Sequence, residues 1–190
     1  SMSQLTKRAI TESFMKLINQ VPFDKITVKD IVEDCGVNRN TFYYHYSDIY
    51  ALLDEILENE TKRVLTENLE ESSWRDAILE SCSFALKNKK GIYHIYNSLS
   101  RRKIDTYLYQ VMGRIMYDFV KKQADGLAVQ DEDLRLIADF YKCAFVGLIL
   151  QWLDGGMKEN PEYIVDKIFS YLEGSTRNML ENAVERNDRK

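Results

Sequence analysis

Twenty residues, Thr27 to Tyr46 (TVKDIVEDCGVNRNTFYYHY), constrain this chain more than any other stretch. Thr27 with Asp30 three residues on is a helix start: the threonine oxygen takes an N–H of the first turn, and the carboxylate reaches back and complements the helix dipole. Gly36 after Cys35 is a helix stop, because glycine enters the left-handed region without strain. Asn38 then caps a second start, and residues 38–46 have the length of one short helix. The apolar positions Ile31, Val32, Val37 and Phe42 of this helix, turn and helix need a further element to cover them.

That element lies upstream. Ala9, Ile10, Phe14, Leu17, Ile18 and Val21 recur at spacings of three and four, with Lys7, Arg8, Glu12 and Lys16 on the other faces. Pro22 ends this helix and a short loop, Phe23 to Ile26, leads to Thr27. Residues 1–47 therefore read as a three-helix helix-turn-helix domain. Ser47 caps a longer fourth helix over 48–70, whose stripe Ile49, Leu52, Leu53, Ile56, Leu57, Val64, Leu65 and Leu69 suits a linking element.

Past Ser72 the pattern stays helical: Trp74 to Lys89, Ile92 to Leu99, Ile104 to Ala124, Asp131 to Asp154 and Pro161 to Arg186. The separators are Gly91, the Arg101-Arg102-Lys103 run, read as a solvated connection, Gly126 and Gly155-Gly156. The end from Glu185 to Lys190 reads as a frayed tail. With 45% hydrophobic residues and only 8 Gly and 2 Pro in 190, composition agrees with an all-α chain, an N-terminal helix-turn-helix domain followed by a helical bundle over 71–190.

Several function classes fall away. Three dispersed cysteines, Cys35, Cys82 and Cys143, and two histidines, His45 and His94, support neither a disulfide framework nor a metal site, and no cofactor is expected. There is no Gly-rich phosphate loop, no H-E-x-x-H and no nucleophile elbow, so an enzyme is not expected. The longest uncharged apolar run, Cys143 to Leu150, is too short to span a bilayer and no signal peptide opens the chain; a cytoplasmic protein without a membrane partner is expected.

What remains is the polar start of the second short helix. Asn38, Arg39, Asn40 and Thr41 carry donors and acceptors suited to base edges or phosphates in a major groove, where Arg matches guanine and Asn matches adenine. Tyr46, four residues after Phe42, shares its face and is expected in the core, whereas Tyr43 and Tyr44 are left for DNA. Whole-chain charge is −4, yet residues 1–46 hold six Lys/Arg against five Asp/Glu and the remainder twenty against twenty-five. The small basic excess predicts modest non-specific affinity for DNA.

The combination of Thr27, Cys35-Gly36-Val37 and Thr41-Phe42-Tyr43-Tyr44-His45-Tyr46, after a hydrophobic first helix and before a long fourth, resembles the tetracycline-repressor (TetR) family of bacterial transcriptional regulators. The resemblance implies that Lys29, Arg39, Asn40 and Tyr44 face bases and that Thr27, Thr41, Tyr43 and His45 hold phosphates, with Asn38 in either role or as a cap. Ile49 stands where many members carry a phosphate-binding lysine. Residues 145–157 with Asn160-Pro161-Glu162 are similar to the C-terminal region of the subgroup that includes regulators linked to dihydroxyacetone-kinase operons.

On this reading the partners are double-stranded operator DNA, a second copy through the last two long helices, and an effector, either a small molecule or a docking protein. Two helices with apolar surplus, Asp131 to Asp154 and the one carrying Ile164, Ile168, Phe169, Leu172, Met179 and Leu180, fit such a dimer. The supply of tyrosines and methionines in the C-terminal half makes Tyr93, Tyr96, Tyr107, Met112, Met116, Tyr141 and Phe145 the candidate effector-pocket residues. Cys82 and Cys143 are expected as small buried hydrophobes. A repressor released by its effector is the leading expectation, and an activator controlled by a partner protein the alternative.

Overall fold

A computed structural model describes residues 1–67 and 74–189, and every regular element among them is helical. In chain order they are α1 (Met2–Ile18), a 3-10 turn (Phe23–Lys25), α2 (Val28–Cys35), α3 (Arg39–His45), α4 (Ile49–Glu67), α5 (Trp74–Lys87), α6 (Lys89–Tyr96), α7 (Arg101–Gln123), α8 (Asp131–Asp154), α9 (Pro161–Leu172) and α10 (Ser175–Asp188). The expected end of the linking helix near Glu70 and the expected break at Ser72 lie outside the described residues. The chain forms two compact units, one of Ser1–Lys62 with Phe84–Tyr107, the other of Arg63–Ser83 with Leu108–Lys190.

In the first unit α1 packs on α2 and α2 on α3, with α6 against α1. Ile10, Phe14 and Ile18 of α1, Ile31 of α2, Phe42 of α3 and Leu52 and Leu53 of α4 are fully or almost fully buried. Burial of such side chains contributes about 1.5–3 kcal/mol each. Ser13 Oγ donates to the Ile31 carbonyl at 3.2 Å, tying α1 to α2 inside this core. Tyr46 is buried as its spacing from Phe42 predicts, whereas Val37 is half-buried and Val21, beyond the end of α1, is exposed.

Three local expectations are corrected here. Gly91 does not separate helices; it lies within α6, where an added Cβ would meet Asn19 Oδ1 at 3.0 Å and Ile18 Cγ2 at 3.1 Å. Its N–H donates to Asn19 Oδ1 at 3.0 Å, so the glycine permits close approach of α6 to the end of α1. Arg101, Arg102 and Lys103 are the first turn of α7, not a connection: Arg101 donates to the Tyr96 hydroxyl at 2.6 Å and Lys103 to Asp54 at 2.5 Å. The cap of α4 is Asp48 in place of Ser47, because Asp48 Oδ1 accepts from Ala51 N–H at 2.8 Å.

The second unit buries Val111, Met112, Ile115, Met116 and Val120 of α7 with Leu134, Ala138, Tyr141, Phe145 and Val146 of α8 and Leu180 of α10. The hydroxyls of Tyr141 and Thr176 meet at 2.9 Å in this core, and Trp152 Nε1 donates to the Glu159 carbonyl at 2.9 Å, closing the turn after α8. Arg75 of α5 grips α9 through Asp166 and Glu162, at 3.1 and 3.0 Å. The single helix expected over Pro161 to Arg186 is two, broken at Gly174 with φ 78°, a conformation that side-chain-bearing residues avoid. α10 runs on to Asp188, so most of the expected tail is helical.

Cys82 is buried as expected, and desolvation pushes its thiol up to about 11. Cys143 is exposed on α8, contrary to the expected burial, because it lies on the face that carries Leu136 and Phe140, both exposed. α8 also contains an 18-residue window of mean hydropathy 1.5, long and apolar enough to cross a bilayer by length and composition alone.

Candidate nucleic-acid interface

The start of α2 is a complete capping box. Asp30 N–H donates to Thr27 Oγ1 at 3.2 Å, while Asp30 Oδ2 accepts from the Thr27 N–H at 2.9 Å and from its hydroxyl at 2.7 Å. The Thr27 hydroxyl, and after it the Thr27 N–H, hold the Asp30 carboxyl below the usual carboxylate range. Lys29, exposed on the outer face, lies 3.7 Å from Glu33, a loose pair that leaves the ammonium in solvent.

At the start of α3 the Asn38 side chain is committed to the cap. Its Oδ1 accepts from Thr41 N–H at 2.8 Å and from the Thr41 hydroxyl at 3.0 Å. Arg39 and Asn40 follow on the exposed side, and no protein partner holds either side chain among the described residues. Phe42 is wholly buried; Tyr43 beside it is 53% exposed and Tyr44 82% exposed. The Tyr43 ring meets Phe42 edge-on at 5.5 Å and Tyr44 meets His45 edge-on at 5.0 Å, so both exposed tyrosines have a braced ring. His45 is half-buried on the same helix.

All nine residues expected to face DNA thus lie on the cap and first turn of α2 or on α3 and its cap, Thr41 and His45 half-buried and the other seven exposed. Asn38 and Thr41 spend their side chains on each other, which leaves Arg39, Asn40, Tyr43 and Tyr44 as the outward chemistry of α3. Ile49, half-buried in the first turn of α4, offers no charge. Its neighbour Tyr50 is half-exposed and braced edge-on against Phe23 at 5.5 Å.

A network missed by the local reading fixes α3 from behind. The Tyr46 hydroxyl and the Lys7 ammonium both donate to the Glu55 carboxylate, one to each oxygen. Lys7 also stands 5.6 Å above the Tyr46 ring. Burial works against ionisation of Glu55, but the hydrogen bonds from Lys7 and Tyr46 outweigh it and hold the carboxyl below its ordinary range; burial first and Glu55 second push the Tyr46 hydroxyl well up. The one signal in sequence was that a buried tyrosine hydroxyl requires a partner, which does not say where along 190 residues that partner stands.

The seven expected effector-pocket residues do not fall in one unit. Tyr93, half-buried, and Tyr96 and Tyr107, buried, belong to the first; Met112, Met116, Tyr141 and Phe145, all buried, belong to the second. Phe145 lines an apolar cleft of about 50 Å³ between α5, α8 and α9, with Ile78, Cys82, Trp152 and Val165. A larger cleft of about 370 Å³ lies between α7 and α8, lined by Gly113, Arg114, Tyr117, Arg135, Ala138 and Asp139. Among the described residues no three His, Cys, Asp or Glu side chains cluster as metal ligands would.

Comparison with known proteins bears on both halves. Residues 10–56 match the family model described as bacterial regulatory proteins, tetR family, and residues 72–174 match one described as a transcriptional regulator C-terminal region. An uncharacterized HTH-type transcriptional regulator of Bacillus subtilis (strain 168), YxbF, is 23% identical over 176 residues, 88% of this chain and 44% of the relative. The dhaKLM operon transcriptional activator DhaS of Lactococcus lactis subsp. lactis (strain IL1403) is 27% identical over 77 residues, 40% of this chain and 41% of the relative. The chain thus matches less than half the length of either curated relative. Among solved structures, a dihydroxyacetone kinase operon activator DhaS superposes with TM-score 0.73 at 18% identity, covering 90% of this chain and 96% of that one. A TetR transcriptional regulator from Streptococcus agalactiae 2603V superposes with TM-score 0.57 at 18% identity, covering 94% and 95%. At these identities the structures establish a shared fold.

Proposed function

The chain belongs to the TetR family of bacterial transcriptional regulators, and from that premise we propose that it binds its operator as a homodimer through α3, with the C-terminal half controlling that binding. Residues 1–47 form the DNA-binding domain, the helix beginning at α4 links it onward, and 71–190 carry dimerisation and effector response. Arg39 and Asn40 read base edges together with Lys29 and Tyr44, while Tyr43 and His45 position the phosphates; Thr27 and Thr41, expected there too, reach a phosphate only by giving up the hydroxyl bonds to Asp30 and Asn38. Asn38 caps α3. The observation that carries the reading is a helix with Phe42 sealed in the core and Arg39, Asn40, Tyr43 and Tyr44 outward.

The exposed apolar face of α8, with Leu136 and Phe140, supports a second copy as its cover, with α9 and α10 as the neighbouring helices. Two recognition helices related by a two-fold axis match a palindromic operator. An effector that binds better when the two helices are wrongly spaced lowers operator affinity by its differential affinity for the two states, and a repressor is released from its operator in this way. Such a regulator works in the cytoplasm, without catalysis.

A second reading keeps the fold and makes the chain an activator whose C-terminal half docks a partner protein. It is favoured by the relative DhaS, which is named as an operon activator. Selection of DNA from a random pool by the purified chain at about 150 mM salt tests the common core of both. Enrichment of a palindromic site supports it, and a pool that stays random refutes it; transcription from a promoter bearing the enriched site, with and without the protein, separates repression from activation.

A further inference from the structure

The recognition helix is seven residues long, far below the length at which a helix is stable alone, so its direction is set by whatever holds it from outside. Two holds are present. Phe42 is wholly buried, an apolar contact that tolerates small rotations. Tyr46, the C-cap, is in extended conformation (φ −137°, ψ 134°) and reaches Glu55 of α4 with its hydroxyl. A hydrogen bond is directional where apolar burial is not, and Glu55 is held in turn by Lys7 of α1. One carboxylate therefore joins α1, the end of α3 and α4.

We infer that Glu55 is a positioning residue for operator recognition: without touching DNA it sets the aim of α3 by holding Tyr46 against Lys7. The inference rests on the DNA-binding reading above. The charged or titratable groups facing the carboxylate are Lys7 from α1 and Tyr46 and His45 from the end of α3, and Thr11 of α1 also reaches the Tyr46 hydroxyl. Adjacent Asp54 supplies an internal comparison, since its carboxylate pairs with Lys103 of α7.

A positioning role and a merely stabilising one differ in sign. Loss of stability lowers the active fraction and weakens operator and random DNA in step. Loss of aim weakens the operator alone, because base edges demand geometry and phosphates only proximity. In Glu55→Gln random-sequence affinity holds or rises, since a negative charge beside Lys7 is gone.

The experiment uses the full chain, with fluorescence anisotropy on its selected operator and on a random duplex, and with circular dichroism and melting to follow folding. A wild type without sequence preference refutes the DNA-binding reading itself, before any variant is compared. Given a selective wild type, Glu55→Gln and Tyr46→Phe are expected to lower the operator-to-random ratio by about tenfold, the equivalent of one charge-assisted hydrogen bond, and Asp54→Asn to leave it within about twofold. If Glu55→Gln fails to fold, Tyr46→Phe, which removes one oxygen, decides alone. A ratio within about twofold of wild type in the folded variants, or an equal fall in Asp54→Asn, overturns the inference.

Discussion

Asn38 and Thr41 close on each other at the start of α3: one carboxamide oxygen accepts the Thr41 N–H at 2.8 Å and the Thr41 hydroxyl at 3.0 Å. Two residues of DNA-binding type are thereby engaged in holding the helix that presents Arg39 and Asn40. Asn38→Ala should lower unfolding stability by about 1 kcal/mol, the usual cost of a lost N-cap. Asn38→Asp keeps the cap but sets a negative charge against the phosphates, so chemical denaturation should show near wild-type stability while DNA affinity falls at every sequence.

Base reading and phosphate holding separate under mutation. Arg39→Ala should relax discrimination at one operator position by about 1–3 kcal/mol, measured on a panel of single-base operator variants. Tyr43→Ala should weaken all sequences alike, because a phosphate contact carries no sequence information.

Phe140 lies on the outer face of α8 at 65% exposure within one chain. Phe140→Asp should therefore leave the circular dichroism spectrum unchanged while converting the proposed dimer to monomer in sedimentation and lowering affinity for a palindromic operator by at least about tenfold. A variant that stays dimeric removes α8 from the interface.

Tyr141 and Thr176 share one hydroxyl–hydroxyl bond in the second core, at 4% and 1% exposure. Tyr141→Phe strands the threonine oxygen and should destabilise by about 1–3 kcal/mol. Thr176→Val in the same chain removes the stranded oxygen, so the double variant should be less destabilised than the sum of the singles, by about 1 kcal/mol in a denaturant cycle.

Acid should loosen the first unit. Glu55 and Asp30 are both held below their ordinary values of 4.5 and 3.8, so the unfolded chain binds protons more readily than the folded one. Their stabilisation is complete above those values and is lost as pH falls through the lower folded-state values. Melting between about pH 6 and 3 should show a falling midpoint, with a shallower fall in Glu55→Gln.

Legibility in the sequence followed distance along the chain. The Thr27–Asp30 box, the Gly36 exit and the limits of α8 were all read correctly, since each depends on residues within one turn of one another. Gly91, the Arg101–Lys103 run and the break at Gly174 were misread: a glycine within a helix, a basic helix start and a continuing apolar stripe look alike whether or not distant chain packs on them.

By itself the sequence determined that this chain is helical, where the two short helices and their turn lie, and that Phe42 and Tyr46 point inward while Arg39, Asn40, Tyr43 and Tyr44 do not. Those outcomes rest on caps, turns and a 3.6-residue period, all short-range. Only the tertiary structure decided that Tyr46, nine residues before Glu55, and Lys7, 48 residues before it, converge on the one Glu55 carboxylate, and that Cys143 faces outward on α8. Those pairings depend on how whole helices cross, and a side chain's partner across such a crossing leaves no periodic trace in the residues around it.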